Sequence, residues 1–236
     1  MCDVCVTAPT VQTRTLCRRC GEAVVASVGL EDLRFSGMLP EGLLCTPCRM
    51  VPPGFARAVA FAEYRDETRT LIHLLKYEGV SGVARRLAPM LVAAIEMLRG
   101  EAGAELLVVA VPLFPGKERQ RGYNQSVLLA DAAVALLRKT SPEWMLAAAH
   151  PVLRRVRATE DQYTLSTKGR RRNLRGAFEV ADKDAVRGRE VLLVDDILTT
   201  GATARECAQV LKRAGAKEVW VGPWRGLRWR ARRRYG

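Results

Sequence analysis

The segment Val191-Leu-Leu-Val-Asp-Asp-Ile-Leu-Thr-Thr-Gly-Ala-Thr203 restricts the possible folds of this chain more than any other stretch. Four consecutive apolar residues, Val191 to Val194, read as a strand buried on both faces. Two carboxylates end it, and a Thr/Gly turn leads into a helical pattern from Thr203 to Ala214 that stops at Gly215. The same alternation of strand and helix signals runs through the chain. Strands are expected at Ala58 to Tyr64, Leu106 to Leu113, Ala177 to Val180 and Glu218 to Val221, and helices at Glu67 to Tyr77, Val83 to Arg99 and Gln125 to Lys139. The helix at Val83 is expected to be kinked or to start late at Pro89. The fold class that follows is α/β, a mostly parallel sheet flanked by helices.

The chemistry sits where that central strand ends, because ligands of open α/β sheets bind beyond the carboxyl ends of strands. Thr199, Thr200, Gly201, Ala202 and Thr203 offer successive backbone N–H groups, hydroxyls and a helix N-terminus, the parts of a monophosphate cradle. Gly201 lets the backbone close on a phosphate with no Cβ in the way. Asp195 and Asp196 would accept hydrogen bonds from two neighbouring hydroxyls such as a ribose offers, and are the candidate catalytic pair. Phosphate on one side and a diol on the other describe a 5-phosphoribosyl group. Two rival readings fail: no G-x-x-x-x-G-K-[ST] accompanies the acidic strand end, and no G-x-G occurs. There is no Ser/His/Asp or Cys/His constellation, and the two histidines, His73 and His150, read as structural.

Six of seven cysteines form three Cys-x-x-Cys pairs within the first 48 residues: Cys2/Cys5, Cys17/Cys20 and Cys45/Cys48. Each pair is a knuckle that presents two thiolates to one tetrahedral metal, so a structural zinc site is expected. Cys2, Cys5, Cys17 and Cys20 enclose a short loop and are the candidate ligands, which leaves Cys45/Cys48 over. Cys207, alone in a helical pattern, reads as a small buried apolar residue. Met50-Val-Pro-Pro-Gly54 marks a boundary. The expected division is a zinc-finger module over 1–53, the α/β domain over 54–223 and a basic tail over 224–236. The longest uncharged run, Leu106 to Gly116, is eleven residues, short of the roughly 20 that cross a bilayer. The N-terminus has no basic n-region followed by an apolar run, so no secretory signal is expected and the location expected is cytoplasmic.

The net charge of +13 is concentrated in two places. Arg154 to Arg175 holds eight basic residues against two acids, and Trp224 to Gly236 holds six arginines and no acid. Segments like these make a polyanion the first partner to consider. In the tail, Arg225, Arg228, Arg230, Arg232, Arg233 and Arg234 interleave with Trp229 and its neighbours. That is the composition of a single-stranded DNA contact, with guanidinium for the backbone and indole for the bases.

Taken in order, these motifs resemble the ComF family, a branch of the type I phosphoribosyltransferases. The resemblance rests on the Cys knuckles, Leu75-Lys76-Tyr77, Val111-Pro112, and the run Arg119, Arg121, Gly122, Tyr123, Asn124 and Gln125. It continues through Gln162, Leu165, Ser166, Arg170, Asn173 and Gly176-Ala177-Phe178 to the ribose-phosphate segment itself. It implies a pyrophosphate loop from Pro112 to Gln125 with Arg119, Arg121 and Asn124. It also implies a flexible flap over 157–173 with Gln162, Arg170 and Asn173. The implied ligand is phosphoribosyl pyrophosphate (PRPP) or a nucleotide, with magnesium accompanying PRPP. The implied role is natural transformation, the uptake of single-stranded DNA alongside helicase and recombination proteins. An active transferase in nucleotide salvage or modification and a PRPP-sensing regulatory module are the alternatives. Two features depart from the family pattern: three knuckles where many members have four, and the long Arg/Trp tail.

Overall fold

The computed structural model describes residues 16–22, 24, 43–59, 66–159, 167–198 and 200–225. In chain order the elements are α1 (Thr46–Met50), β1 (Arg57–Ala58), α2 (Asp66–Tyr77), α3 (Val83–Glu96), β2 (Glu105–Ala110), α4 (Pro115–Arg121) and α5 (Gln125–Thr140). They continue with β3 (Met145–Ala148), a 3-10 turn (His150–Val152), β4 (Leu153–Arg155), α6 (Thr167–Leu174), β5 (Phe178–Val180), β6 (Glu190–Leu198), α7 (Ala202–Arg213) and β7 (Glu218–Arg225).

Five strands form one sheet in the order β1-β7-β6-β2-β3, and every pairing in it is parallel. A separate antiparallel ribbon joins β4 to β5. Because successive residues of a strand point to opposite faces, the continuous apolar runs of β2 and β6 feed two cores at once. Val108, Leu192 and Val194 pack against Ile72, Leu75, Leu87, Leu91, Ile95, Leu129 and Leu137 from α2, α3 and α5. Leu107, Val109, Val191 and Leu193 pack on the other face against Cys207, Ala208 and Leu211 of α7, with Phe55, Leu174 and Phe178. Cys207 is fully buried there, a packing residue as its sequence setting implies.

The order of the strands positions the site. From β2 the chain passes through α4 and α5 to β3 on one side, and from β6 it passes through α7 to β7 on the other. The two connections diverge between β2 and β6, and a crevice opens at their carboxyl ends, as topological switch points require. Val111 N–H donates to Val194 O at 2.8 Å, which holds the start of one connection against the strand that carries the acids.

Several elements differ from the sequence expectation. β6 continues to Leu198, so Asp195 and Asp196 lie inside the strand and do not follow it. α3 starts at Val83 and runs through Pro89, because Pro89 lies on the exposed face, where the carbonyl it leaves unpaired is solvated. α6 interrupts the basic segment that read as a continuous loop. β3 and β4, each four residues or fewer, carried no strand signal of their own. Residues 60–65, most of the strand expected from Ala58 to Tyr64, lie outside the described residues.

Candidate functional site

Adjacent strand residues ordinarily face opposite sides, yet Asp195 and Asp196 both line one cleft. The cause is a register shift in the β6–β7 pairing: Val194 pairs with Gly222 and Ile197 with Trp224, one extra residue in β6. Such a bulge re-aims side chains next to functional sites. The pair is not free of structure. Asp196 Oδ2 accepts from Lys76 Nζ at 2.8 Å and from Gln125 Nε2 at 2.7 Å, while Asp195 Oδ1 accepts the Asp196 N–H at 2.8 Å. Burial, and then the neighbouring charge of Asp196, push the Asp195 carboxyl up to about 7.

The turn after β6 brings the strand into α7. Gly201 has φ +67°, and a Cβ added there would meet only Leu198 Cδ1 at 3.5 Å. Glycine is therefore required by the left-handed backbone, and crowding from the protein is not the reason. Thr203 lines the cleft, Ala202 is buried as the first residue of α7, and the Thr200 hydroxyl is buried with no hydrogen-bond partner. Thr199 lies outside the described residues.

From the β2 connection, Pro112, Arg121 and Gln125 line the cleft, joined by Lys117 and Ser126. Arg121 donates to Gln125 Oε1. Arg119 is exposed on α4 and is not among the lining residues, where Lys117 takes a place that the sequence reading does not give it. Asn124 is buried and structural: its side chain caps α5 by accepting the Ser126 N–H at 2.9 Å and donates to Val111 O at 3.0 Å. That cap fixes where the helix carrying Gln125 begins.

The basic segment divides. Arg155 and Arg170 line the cleft, whereas Arg157 donates to the carbonyls of Asn173 at 2.7 Å and Arg175 at 2.9 Å and so ties β4 to the end of α6. Arg155 is stacked 5.5 Å over the Phe178 ring, and its Nε is buried without a partner. Burial lowers its pKa, with the Asp195 charge acting the other way. Gln162 lies outside the described residues. Among the described residues, three buried side-chain polar atoms lack a partner: Ser126 Oγ, Arg155 Nε and Thr200 Oγ1. Two belong to cleft-lining residues and the third to the turn beside them. Orphaned polar atoms cost about 1–3 kcal/mol each, so their grouping at one crevice marks where a polar ligand would bind.

Lys76, Tyr77, Lys117, Ser126 and Arg155 are among the site residues that reasoning from sequence left without a role. Lys76 and Tyr77 were visible only as part of a motif, and Arg155 was one arginine among eight basic residues. His150 is structural: Nδ1 accepts the Ala110 N–H at 3.1 Å, and Nε2 lies 3.0 Å from Asp131 Oδ1.

A second centre lies nearby. Cys17, Cys20, Cys45 and Cys48 bring their sulfurs within 4.8 Å of one another. Four sulfurs at about 2.3 Å from one zinc stand about 3.8 Å apart, so the set fits a tetrahedral ion. Hydrogen bonds from Cys20 and Cys48 hold the Cys17 thiol well below its ordinary value, and the contact with Cys17 is the first cause that pushes Cys20 up and Cys48 up to about 12. Among the described residues Cys17/Cys20 meet Cys45/Cys48, the knuckle that had been left over; Cys2 and Cys5 of the expected set lie outside the described residues.

Arg205 connects the two centres. It donates to Cys48 Sγ at 3.2 Å and to Val51 O at 2.7 Å, and its own N–H bonds to Gly201 O at 2.9 Å. Gly54 passes so close to α7 that a Cβ would lie 3.0 Å from the Gln209 nitrogen. β7 carries the backbone of Trp224 and Arg225 alongside Ile197 and Leu198. The rest of the basic tail, with Arg228, Trp229, Arg230, Arg232, Arg233 and Arg234, lies outside the described residues. No helix among the described residues is long and apolar enough to cross a membrane.

Comparison with known proteins agrees with this geometry. The family model for the phosphoribosyl transferase domain matches residues 126–221. DNA utilization protein YhgH of Escherichia coli (strain K12) is 35% identical over 223 residues, 94% of this chain and 88% of that protein. Competence protein F of Haemophilus influenzae is 30% identical over 181 residues, 75% of this chain and 76% of that protein. Competence protein ComFC of Streptococcus pneumoniae is 33% identical over 120 residues, 49% of this chain and 46% of that protein. Among solved structures, a Bacillus subtilis glutamine PRPP amidotransferase complexed with ADP and GMP is similar at a TM-score of 0.38 and 18% identity, over 64% of this chain and 30% of that one. With its likeness to YhgH running along almost the full length of both chains, this protein belongs to the ComF family.

Proposed function

We propose that this protein serves the handling of single-stranded DNA in natural transformation or DNA utilization, and that its cleft binds a 5-phosphoribosyl group, as PRPP or as part of a nucleotide. The observation that carries the reading is the crevice between β2 and β6. It holds two carboxylates at one end, a glycine-hinged turn onto a helix N-terminus, and orphaned polar atoms from Ser126, Arg155 and Thr200. The turn takes the 5-phosphate on backbone N–H groups, and Asp195 and Asp196 take the ribose hydroxyls. Lys117, Arg121, Arg155 and Arg170 supply positive charge for a diphosphate.

Magnesium fits this cleft as a passenger of the diphosphate. Among the described lining residues two are hard carboxylates, and Asp196 is already engaged by Lys76 and Gln125, so most of the ion's oxygens would come from the ligand and water. When bound it neutralises charge on the leaving group. The chain's own share is to position the sugar and to place guanidinium groups where negative charge collects. Zinc is the ion that four thiolates select, and its role in the cysteine module is structural.

The DNA part of the reading rests on the family and on the tail. β7 ends beside Leu198, so the arginine-rich tail starts in register with the residue that precedes the phosphate turn. A single strand held there would lie beside the cleft, in the cytoplasmic setting where helicase and recombination proteins act. The test is the salt dependence of binding to a labelled single-stranded oligonucleotide. Removing 226–236 deletes five arginines. Each phosphate contact contributes about −0.7 to the slope of log K against log salt, so the slope should flatten by about 3.5. An unchanged slope in the truncated protein would remove the tail from the account.

A further inference from the structure

The motif Leu75-Lys76-Tyr77 is tied to the cleft at each residue. The Tyr123 hydroxyl donates to Leu75 O at 2.5 Å, Lys76 pairs with Asp196 at 2.8 Å, and the Arg121 guanidinium lies 5.7 Å from the Tyr77 ring centre. Arg121 bonds Gln125, and Gln125 bonds Asp196, so the contacts close into a ring around the mouth of the crevice. In that ring Leu75 is fully buried and Lys76 nearly so, but Tyr77 is 57% exposed while it lines the cleft. His73, one turn back on α2, tilts against the tyrosine ring at 4.8 Å between centres and leaves more than half of the residue accessible. An aromatic ring this exposed at the rim of a charged cleft is unusual for a helix end whose other apolar residues are buried.

The size and polarity of the cleft say what such a ring would meet. Its volume is about 220 Å³. Pockets that enclose whole drug-sized ligands run from about 300 to 1,000 Å³, so a phosphorylated sugar occupies the crevice and a ring system attached to it must emerge at the rim. The phosphate turn reaches the cleft through Thr203, and Asp196, the carboxylate for a ribose hydroxyl, is paired with Lys76, the chain neighbour of Tyr77. We propose that Tyr77 is the stacking face for a nucleobase whose sugar and phosphate occupy the cleft, with Arg121 holding the ring in place. The inference rests on the phosphoribosyl reading above. The base has two sources, a free nucleotide or the terminal nucleotide of a single strand, since an open rim admits both.

The test compares calorimetric affinities of the full-length protein, Tyr77→Phe and Tyr77→Ala for ribose 5-phosphate, AMP and a single-stranded oligonucleotide with a 5′-phosphate. A base stacked on an aromatic side chain accounts for a roughly 5- to 150-fold gain in affinity. The ratio of AMP to ribose 5-phosphate affinity should therefore fall by about that factor in Tyr77→Ala and be kept in Tyr77→Phe. In Tyr77→Trp the indole emission should be quenched by AMP and left alone by ribose 5-phosphate. If the loss is seen with the oligonucleotide only, the source is a strand end; if with AMP only, it is a free nucleotide. Equal losses for AMP and ribose 5-phosphate in Tyr77→Ala would overturn the inference, because the residue would then only shape the cleft. So would an AMP ratio that does not change, unless the oligonucleotide alone shows the loss. Absence of any ribose 5-phosphate or PRPP binding by the unaltered protein would instead bring down the phosphoribosyl reading, and this inference with it.

Discussion

The cysteine centre and the crevice between β2 and β6 lie at two ends of one arginine, and they are held together by different forces. The four cysteines come from two short segments, the second of them a five-residue helix that holds Cys48 and starts after Cys45, and they share a small cluster with Val24 and Leu44. Among the described residues the module buries little apolar surface, so metal binding there would be folding energy. The cleft is placed by β2 and β6, strands buried on both faces, and its geometry exists before any ligand arrives. On the reading proposed above, one centre needs an ion to have a shape, and the other has a shape that a ligand would exploit.

The largest effect should come from breaking that contrast at the metal. Chelation of zinc should unfold residues 16–24 and 43–50 while the sheet survives, since about 10 kcal/mol or more of apparent binding energy is removed from the module alone. Hydrogen exchange should rise sharply in those segments and stay slow in β2 and β6. Uniform exchange across the chain would show that the two regions fold as one.

The next effect lies in the cleft. The acids at first sight contribute little to the core, but Asp196 compensates the buried Lys76. Asp196→Ala should therefore cost about 3–5 kcal/mol, the usual loss when a buried pair keeps one member, and Asp196→Asn less. Denaturant unfolding of both variants measures it. Gly201→Val should cost about 1–3 kcal/mol for a β-branched residue at φ +67°, and should weaken phosphate binding without altering zinc content.

Asp195 adds a pH signature. Its folded carboxyl titrates near 7 against an ordinary value of 3.8, so between those values the folded chain holds a proton that the unfolded chain releases. Stability should fall as pH rises through that window, by at most about 1.4 kcal/mol per unit, and level off above 7. Asp195→Asn should lose this slope, as thermal melts from pH 5 to 8 would record. The smallest effect belongs to the bridge: Arg205→Gln removes a charged donor from Cys48 and should cost about 1 kcal/mol, read as faster zinc loss to a chromogenic chelator. No change in that rate would mean that the two centres are merely neighbours.

The same contrast explains what could be read from the sequence. Val191 to Thr203 was legible because strand, acids, turn and helix are contiguous and every signal in it agrees. The knuckles were legible as metal ligands but not as pairs, because Cys-x-x-Cys offers the same two sulfurs whatever completes the tetrahedron. The bulge that turns Asp195 and Asp196 into one cleft is a property of the β6–β7 register, which no local pattern encodes. α6 was hidden by its run of Lys and Arg, which gives no apolar period to read. Lys76 entered the sequence reading only as part of a motif; the packing of α2 beside Gln125 and Asp196 is what brings it to the cleft.

The claim on which the rest depends is that the crevice between β2 and β6 binds a 5-phosphoribosyl group. Calorimetric titration of PRPP with magnesium into the full-length protein, and into the Asp195→Asn/Asp196→Asn double variant, tests it most directly. The account predicts one site per chain in the unaltered protein and a loss of at least about tenfold in the variant, since the ribose hydroxyls lose charged acceptors. Equal affinity in both proteins, or no heat in either, would contradict it.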